Sequence, residues 1–467
     1  MHLLVILLLA IWTMHLPSQT PRLLSLNSSD DEVQLNDEPL EFEVATPELL
    51  DSTDTIEALP SQLLVDVPVE AVAPMPTPAA APVLFGEEIT LLDAMGGSGS
   101  SDGGTLEGRR GGMRGQLLHR GGGSAASERS VALALDWLAR HQHPEGYWSF
   151  DHQLGECQGQ CDQPGSLQTS LMGATGLALL PYLGAGNTHR DGAHRAVVKR
   201  GVAALVKMMQ VTPNGGSFYD GGQMYSHGIA TMALCEAYAM TRDRSLRRPA
   251  QMAVNFTCYA QDPRGGGWRY EPHQPGDTSV LGWQLGALKS ADLARLEVPG
   301  LVVARAGYFL DTAQVEDGQQ YVYEPTEKER RTTNATSAIG LLCRMYLGAQ
   351  RGNPILKKGV ERIVATGPSD NDVYYNFYAT QLVFQFSDGK GELWKKWNTA
   401  MRDKLIASQD ERGHAEGSWA PKDGDHGKAK GGRLYATALN CMTLEVYYRL
   451  MPIYQEKAVK EEFKADD

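Results

Sequence analysis

Cys157 and Cys161 stand four residues apart in a long turn, with His152 five residues before the first of them. Two thiols and an imidazole are donors that zinc accepts, but they leave a tetrahedral site one ligand short. A disulfide, or plain loop cysteines, accounts for the pair as well, so no metal site and no cofactor is assigned. A second constellation is Lys422-Asp423-Gly424-Asp425-His426-Gly427-Lys428, close to Trp419. Paired carboxylates beside an aromatic platform suit glycoside chemistry, whereas the flanking lysines and glycines read as a solvated loop. Asp370-Asn371-Asp372 is a third acidic group, of the residue types that favour turns and helix N-caps. His227 opens an apolar helical stretch and is a candidate base or a packed histidine. Cys235, Cys258, Cys343 and Cys441 fall in apolar helical patterns, where a small buried hydrophobe is expected.

The elements that must carry these groups occupy only part of the 467 residues. A 42% hydrophobic share excludes a wholly disordered chain, and 50 glycines without a Gly-X-Y period exclude collagen. The net charge of −13 is segregated: residues 1–100 hold sixteen acids against Arg22 alone, which leaves 40 acids and 42 bases in the rest. That near-neutral body lacks the basic stripe of a nucleic-acid binder, so no nucleic-acid partner is expected. Leu3 to Trp12 is apolar and about 15 Å long as a helix, roughly half a bilayer core. We read residues 1–17 as a membrane-targeting segment, which makes the protein membrane-associated on an unassigned side. Residues 18–127 read as a disordered spacer, first acidic and proline-rich, then glycine-rich with Arg109, Arg110, Arg114 and Arg120. Residues 456–467 form a charged tail.

From Glu128 the pattern is helical, with Val131, Leu135 and Leu138 on one face. A unit then recurs. Gln142 is followed by Gly146-Tyr147-Trp148, Gln210 by Gly215-Gly216-Ser217-Phe218, Gln261 by Gly265-Gly266-Gly267-Trp268, Gln314 by Gly318 and Tyr321, and Gln409 by Gly417-Ser418-Trp419. Each leads into a second helix rich in small residues. A unit near Val360 that lacks the signature brings the count to six helical hairpins. Two helices per period of about fifty residues mark a repeat architecture, and six hairpins can close into a ring. The expected fold is all-α: an α/α toroid, a double-layered barrel of six hairpins over 128–455, which needs nothing upstream to fold.

These units resemble the Gln–Trp repeat of squalene cyclases and protein prenyltransferase β-subunits, the terpenoid cyclase/protein prenyltransferase superfamily. The chain also looks like the prenyltransferase and squalene-oxidase-repeat proteins of planctomycete-type bacteria. Tyr374 to Gln381, Gly432-Arg433-Leu434-Tyr435 and Thr443 to Tyr448 carry that second likeness. The resemblance implies a Gln that bonds orphan carbonyls at the outer helix's end while an indole stacks over it. Squalene cyclases use Asp-x-Asp-Asp-Thr-Ala, whose central Asp protonates an alkene. The nearest match, Gln274-Pro275-Gly276-Asp277-Thr278-Ser279, places Gly276 at the donor and leaves Asp277 as the candidate acid. The prenyltransferase zinc set is not matched, because no Asp stands two residues before Cys441.

In a closed ring the inner helices run parallel and six positive helix ends converge on one mouth. Asp277 and His227 are the catalytic candidates there. Arg331 and Arg433 would meet an anionic group, and Trp283, Tyr375 and Tyr435 would line the throat. The expected function is binding of an isoprenoid-like lipid, or of a protein partner, without classical cyclase chemistry. The alternatives are a divergent terpene cyclase or prenyltransferase and, third, an α/α-toroid carbohydrate-active enzyme.

Overall fold

The computed structural model describes residues 106–449, apart from Arg110 and Glu156. The expectations for 1–17, the acidic stretch and the 456–467 tail lie outside the described residues. No helix among those described is long and apolar enough to cross a membrane.

Helix α1 spans Gly111–Arg120, and the six hairpins follow. Their outer helices are α2 (Ala125–Arg140), α4 (Arg195–Met208), α6 (Arg244–Tyr259), α8 (Gly300–Ala313), α10 (Pro354–Thr366) and α12 (Gly391–Ser408). Their inner helices are α3 (Leu171–Gly184), α5 (Gln223–Thr241), α7 (Thr278–Leu293), α9 (Asn334–Tyr346), α11 (Val373–Ser387) and α13 (Lys428–Leu444). A final turn, α14, covers Val446–Arg449. Each inner helix packs on the next and α13 packs on α3, so the ring closes. The expected α/α toroid is the observed fold.

The two layers follow from residue pattern. Helix α6 buries Leu246, Ala250, Ala253 and Val254 on one face and exposes Arg244, Arg247 and Arg248 on the other, as an outer helix must. Helix α3 (Leu-Met-Gly-Ala-Thr-Gly-Leu-Ala-Leu-Leu-Pro-Tyr-Leu-Gly) is buried nearly all round, between the outer layer and its inner neighbours. Two hairpin turns carry short antiparallel ribbons: Gln210–Thr212 with Gly215–Ser217, and Gln314–Val315 with Gln320–Tyr321.

The repeated Gln, Gly and Trp have separate structural roles. Gln261 Nε2 donates to Gly266 O in its own turn (2.8 Å) and to Val302 O in the next outer helix (2.7 Å). Gln142 does the same to Gly146 and Val197, and Gln409 to Gly417 and Ser130, which joins the sixth hairpin to the first. The glutamine therefore staples neighbouring hairpins and does not cap its own helix. Capping falls to the indole, since Trp148, Trp268 and Trp419 donate Nε1 to Leu138, Thr257 and Leu405 carbonyls at the ends of α2, α6 and α12. Gly266 has φ +76°, and a Cβ there would lie 2.0 Å from Arg305 O, so only glycine lets the turn sit against the next helix.

Part of the segment expected as spacer is ordered. A short 3-10 turn, Glu107–Arg109, and α1 lie at the end of the ring opposite the long turns. Fully buried Arg109 donates to Glu236 Oε2 (2.9 Å), Arg449 O (2.7 Å) and Leu183 O (3.2 Å). Arg114 binds Glu128 Oε2 at 2.7 Å and Ala185 O at 2.7 Å, with its guanidinium 4.4 Å from the centre of the Tyr448 ring. Composition suggested a linker because glycine dominates it, but two of its arginines bring cations to the acids Glu236 and Glu128. Among the described residues, the fold accordingly extends upstream of 128 to include Glu107–Arg109 and Gly111–Arg120.

Candidate active site

The long turns gather at the mouth formed by the inner-helix N-termini, where carboxyl groups serve as caps. Asp277 Oδ1 accepts from Val280 N at 2.8 Å, and Asp372 Oδ1 from Tyr375 N at 2.8 Å. Asp220 and Asp425 reach across to the preceding hairpin: Asp220 Oδ2 accepts from Met172 N (2.8 Å) and Asp425 Oδ2 from Val373 N (2.9 Å). These bonds place four acids from four different turns around one opening.

Hydroxyl groups complete the mouth. Ser279 Oγ lies 2.8 Å from both the Tyr225 and Tyr374 hydroxyls, which joins three inner helices. The Tyr270 and Tyr323 hydroxyls are 2.6 Å apart. Trp283 stacks on Phe377 with ring centres 5.8 Å apart, below Tyr374.

Asp220, Asp277 and Asp372 hold their protons more tightly than ordinary carboxyls. Burial pushes Asp277 up to about 6, against the opposing pull of its cap bond and of Arg269. Its Oδ2 has no hydrogen-bond partner among the described residues. Burial, helped by the neighbouring Asp425 carboxylate, raises Asp372, and burial raises Asp220. A buried carboxyl that keeps its proton up to about pH 6, beside the Tyr323 hydroxyl, is equipped to give that proton up.

The other sequence-derived candidates divide. Trp283 and Tyr435 do lie at the mouth, Tyr435 beside Asp425. His227 is fully buried within the wall: Nδ1 accepts from Phe218 N at 3.2 Å and Nε2 lies 2.9 Å from Thr257 Oγ1. Burial lowers its proton affinity to about 3. Thr175 and Thr437 accept the same turn N–H in the first and sixth hairpins, so His227 fills a structural position there. Tyr375 points outward and donates to Gly367 O at 3.1 Å. Arg433 is buried and bound to Asp162, Asp410 and Ser418 Oγ, while Arg331 is exposed and paired with Glu329. The anionic mouth expected from Arg331 and Arg433 thus loses its second cation to the protein itself. Sequence reasoning passed over Asp220, and it took Asp372 as a cap alone. The signal for both was an Asp at an inner-helix start in hairpin after hairpin.

Donors for a metal lie outside the mouth. His141, Cys157, Cys161 and His414 bring their ligand atoms within 4.8 Å of one another.

No protein-family model matches the chain, and no curated protein does. Among solved structures it is similar to an α-amylase from Clostridium perfringens, at 12% identity over 68% of this chain and 98% of that one, with a TM-score of 0.47. It is also similar to an inactive variant of an α-1,6-mannanase of Salegentibacter sp. HEL1_6 in complex with α-1,6-mannotetrose, at 11% identity over 70% and 99% of the two chains, with a TM-score of 0.47. These likenesses reach the fold and no further. The terpenoid cyclase and prenyltransferase assignment is corrected: the solved structures named are an α-amylase and α-1,6-mannanase variants. The physical reason lies in the motif: Gln, Gly and Trp staple and cap hairpins, which any ring built this way requires, and so carry no chemistry.

Proposed function

We propose that the protein is an α/α-toroid carbohydrate-active enzyme that cleaves glycosidic bonds at the mouth. The observation that supports this is Asp277: a buried carboxyl that caps an inner helix at the mouth end, protonated up to about pH 6, among hydroxyl groups of Tyr225, Tyr323 and Tyr374. In this reading Asp277 gives its proton to the leaving glycosidic oxygen as the C–O bond breaks. Asp372, whose raised proton affinity makes it the stronger base once ionised, takes a proton from the water that attacks the anomeric carbon. The tyrosines and Trp283 offer the amphipathic surface that sugar rings and hydroxyls pack against. The apolar Leu3–Trp12 segment would hold the domain at a membrane.

The test is hydrolysis by the full chain of a panel of α- and β-linked oligosaccharides, α-1,4-glucan and α-1,6-mannan among them, followed by reducing-end release. Asp277→Asn should lower kcat by roughly 10²-fold or more while calorimetry finds oligosaccharide affinity retained. Turnover unchanged in Asp277→Asn, or neither cleavage nor binding of any panel member by wild type, would sink the reading.

A further inference from the structure

We propose that His141, Cys157, Cys161 and His414 form a structural zinc site that clasps the first hairpin to the sixth. His141 follows the last residue of α2, the cysteines lie in the turn after it, and His414 lies 253 residues beyond Cys161, in the turn after α12. Cys161 Sγ is 3.4 Å from His141 Nε2 and 3.2 Å from His414 Nδ1. All four ligand atoms fall within 4.8 Å of one another, and the two Cys161 distances lie close to the edges, about 3.3–3.8 Å, of a zinc-centred tetrahedron. Two thiolates and two imidazoles in a compact set select zinc among common divalent ions. Four protein ligands leave no open coordination position, which marks the site as structural.

The surroundings fit a metal. His141 Nδ1 lies 2.6 Å from Trp137 O, so that nitrogen carries the proton and Nε2 presents its lone pair to the cluster. Cys161 N donates to Cys157 Sγ at 3.4 Å, a backbone N–H aimed at a sulfur that carries negative charge once a metal is bound. Around the cluster, buried Trp137 Nε1 and both ring nitrogens of His152 have no hydrogen-bond partner among the described residues. Trp137 Nε1 is a donor only, beside Cys161, and a sulfur that carries negative charge once a metal is bound is the acceptor such an N–H would need. A groove of about 540 Å³, edged by Arg140, His143, Arg200 and His414, gives an ion a way in. His152, the histidine nearest the cysteines in sequence, is not in the set.

The location explains what the site is for. Internal seams of the ring join hairpins already linked by the chain, whereas the closing seam brings together Cys161 and His414, 253 positions apart. Binding zinc there removes the open-ring conformations from those the native chain can visit, and thiol protons leave as the ion enters.

The full chain, purified under reducing conditions and dialysed against zinc, should hold one zinc by plasma mass spectrometry, and cobalt should give tetrahedral thiolate spectra. Cys161→Ser and His414→Ala should each lose most of the bound zinc, while Cys258→Ser keeps it. Chelation should lower Tm by roughly 5–10 °C in wild type and by little in His414→Ala. His414 sits on a partly exposed 3-10 turn, so its variant remains informative if Cys161→Ser does not fold. Three results would each overturn the proposal: no zinc on the reduced protein, full zinc retained in both variants, or a Cys157–Cys161 disulfide in protein that binds no metal. These readouts are of metal and melting, so they stand or fall apart from glycan cleavage.

Discussion

The two ends of the ring treat buried charge in opposite ways. At the end away from the long turns, Glu236 meets two guanidinium groups, Arg109 at 2.9 Å and Arg449 at 3.1 Å, and Arg449 also donates to Leu180 O. At the mouth, Asp220, Asp277 and Asp372 meet backbone N–H groups and hydroxyls, and none makes an ion pair among the described residues. Paired charge holds a structure together without offering chemistry. Acids left with raised proton affinity cost stability, and an active site is where such a cost is tolerated. The contrast therefore sets a structural end apart from the end at which we propose the chemistry, without reference to any relative.

The strongest way to break the comparison is to unpair the structural end. Arg109→Met leaves Glu236 buried with one cation fewer, and loss of one partner from a buried pair costs about 3–5 kcal/mol. Urea titration should show the midpoint fall accordingly. Arg109→Met with Glu236→Leu should recover much of the loss, because matched apolar replacement removes both charges. A fragment that starts at residue 128 lacks Arg109 and Arg114 and should melt well below the full chain. Equal melting temperatures would show that the 106–120 segment lies on the ring without stabilising it.

How much of this could be read beforehand follows from the range of each interaction. The hairpins were legible because Gln, Gly and aromatic residues recur within about ten residues of one another, and Trp268 bonding Thr257 O is such a local case, unlike the bonds of the glutamines to the next hairpin. Asp277 was legible as a residue at a helix start, but its raised proton affinity comes from burial by tyrosines on other hairpins, which no local pattern encodes. The metal donors were half visible. Cys157 and Cys161 sit together in sequence, whereas His414 reaches them only because the ring closes. Arg109 was hidden for another reason: glycine-rich composition describes the backbone's freedom and says nothing of a guanidinium that finds three buried partners.

Glu445 sharpens the comparison, because it is the acid at the structural end that behaves like those at the mouth. Burial raises it to about 8, although Arg449 lies 3.6 Å away. A carboxyl whose folded value exceeds its unfolded one stabilises the fold fully at low pH, and that contribution is lost as pH rises from about 4.5 through 8. Glu445→Gln should therefore match wild type below pH 4 and exceed it by about 4 kcal/mol at pH 8. Chemical denaturation at several pH values reads the difference. A pH-independent gap would mean that Glu445 is ionised and paired, and the structural end would then be uniform.

The smallest expected effect falls at the mouth and bears most directly on function. Asp277 rises to about 6 in the folded protein, so its contribution is complete below the ordinary carboxylate range and declines as pH climbs from about 4 through 6. Asp277→Asn keeps an oxygen to cap α7 at Val280 N but removes the charge that burial disfavours. The variant should equal wild type in stability at pH 4 and surpass it by about 1–2 kcal/mol at pH 7, while glycan cleavage falls. Gain of stability together with loss of activity is the signature of a residue retained for chemistry. A pure N-cap gives the reverse: Asn and Asp cap about equally well, so stability would change little at any pH and turnover would stay at the wild-type level. Melting curves at pH 4, 5.5 and 7, run beside the cleavage assay, decide which kind of residue Asp277 is.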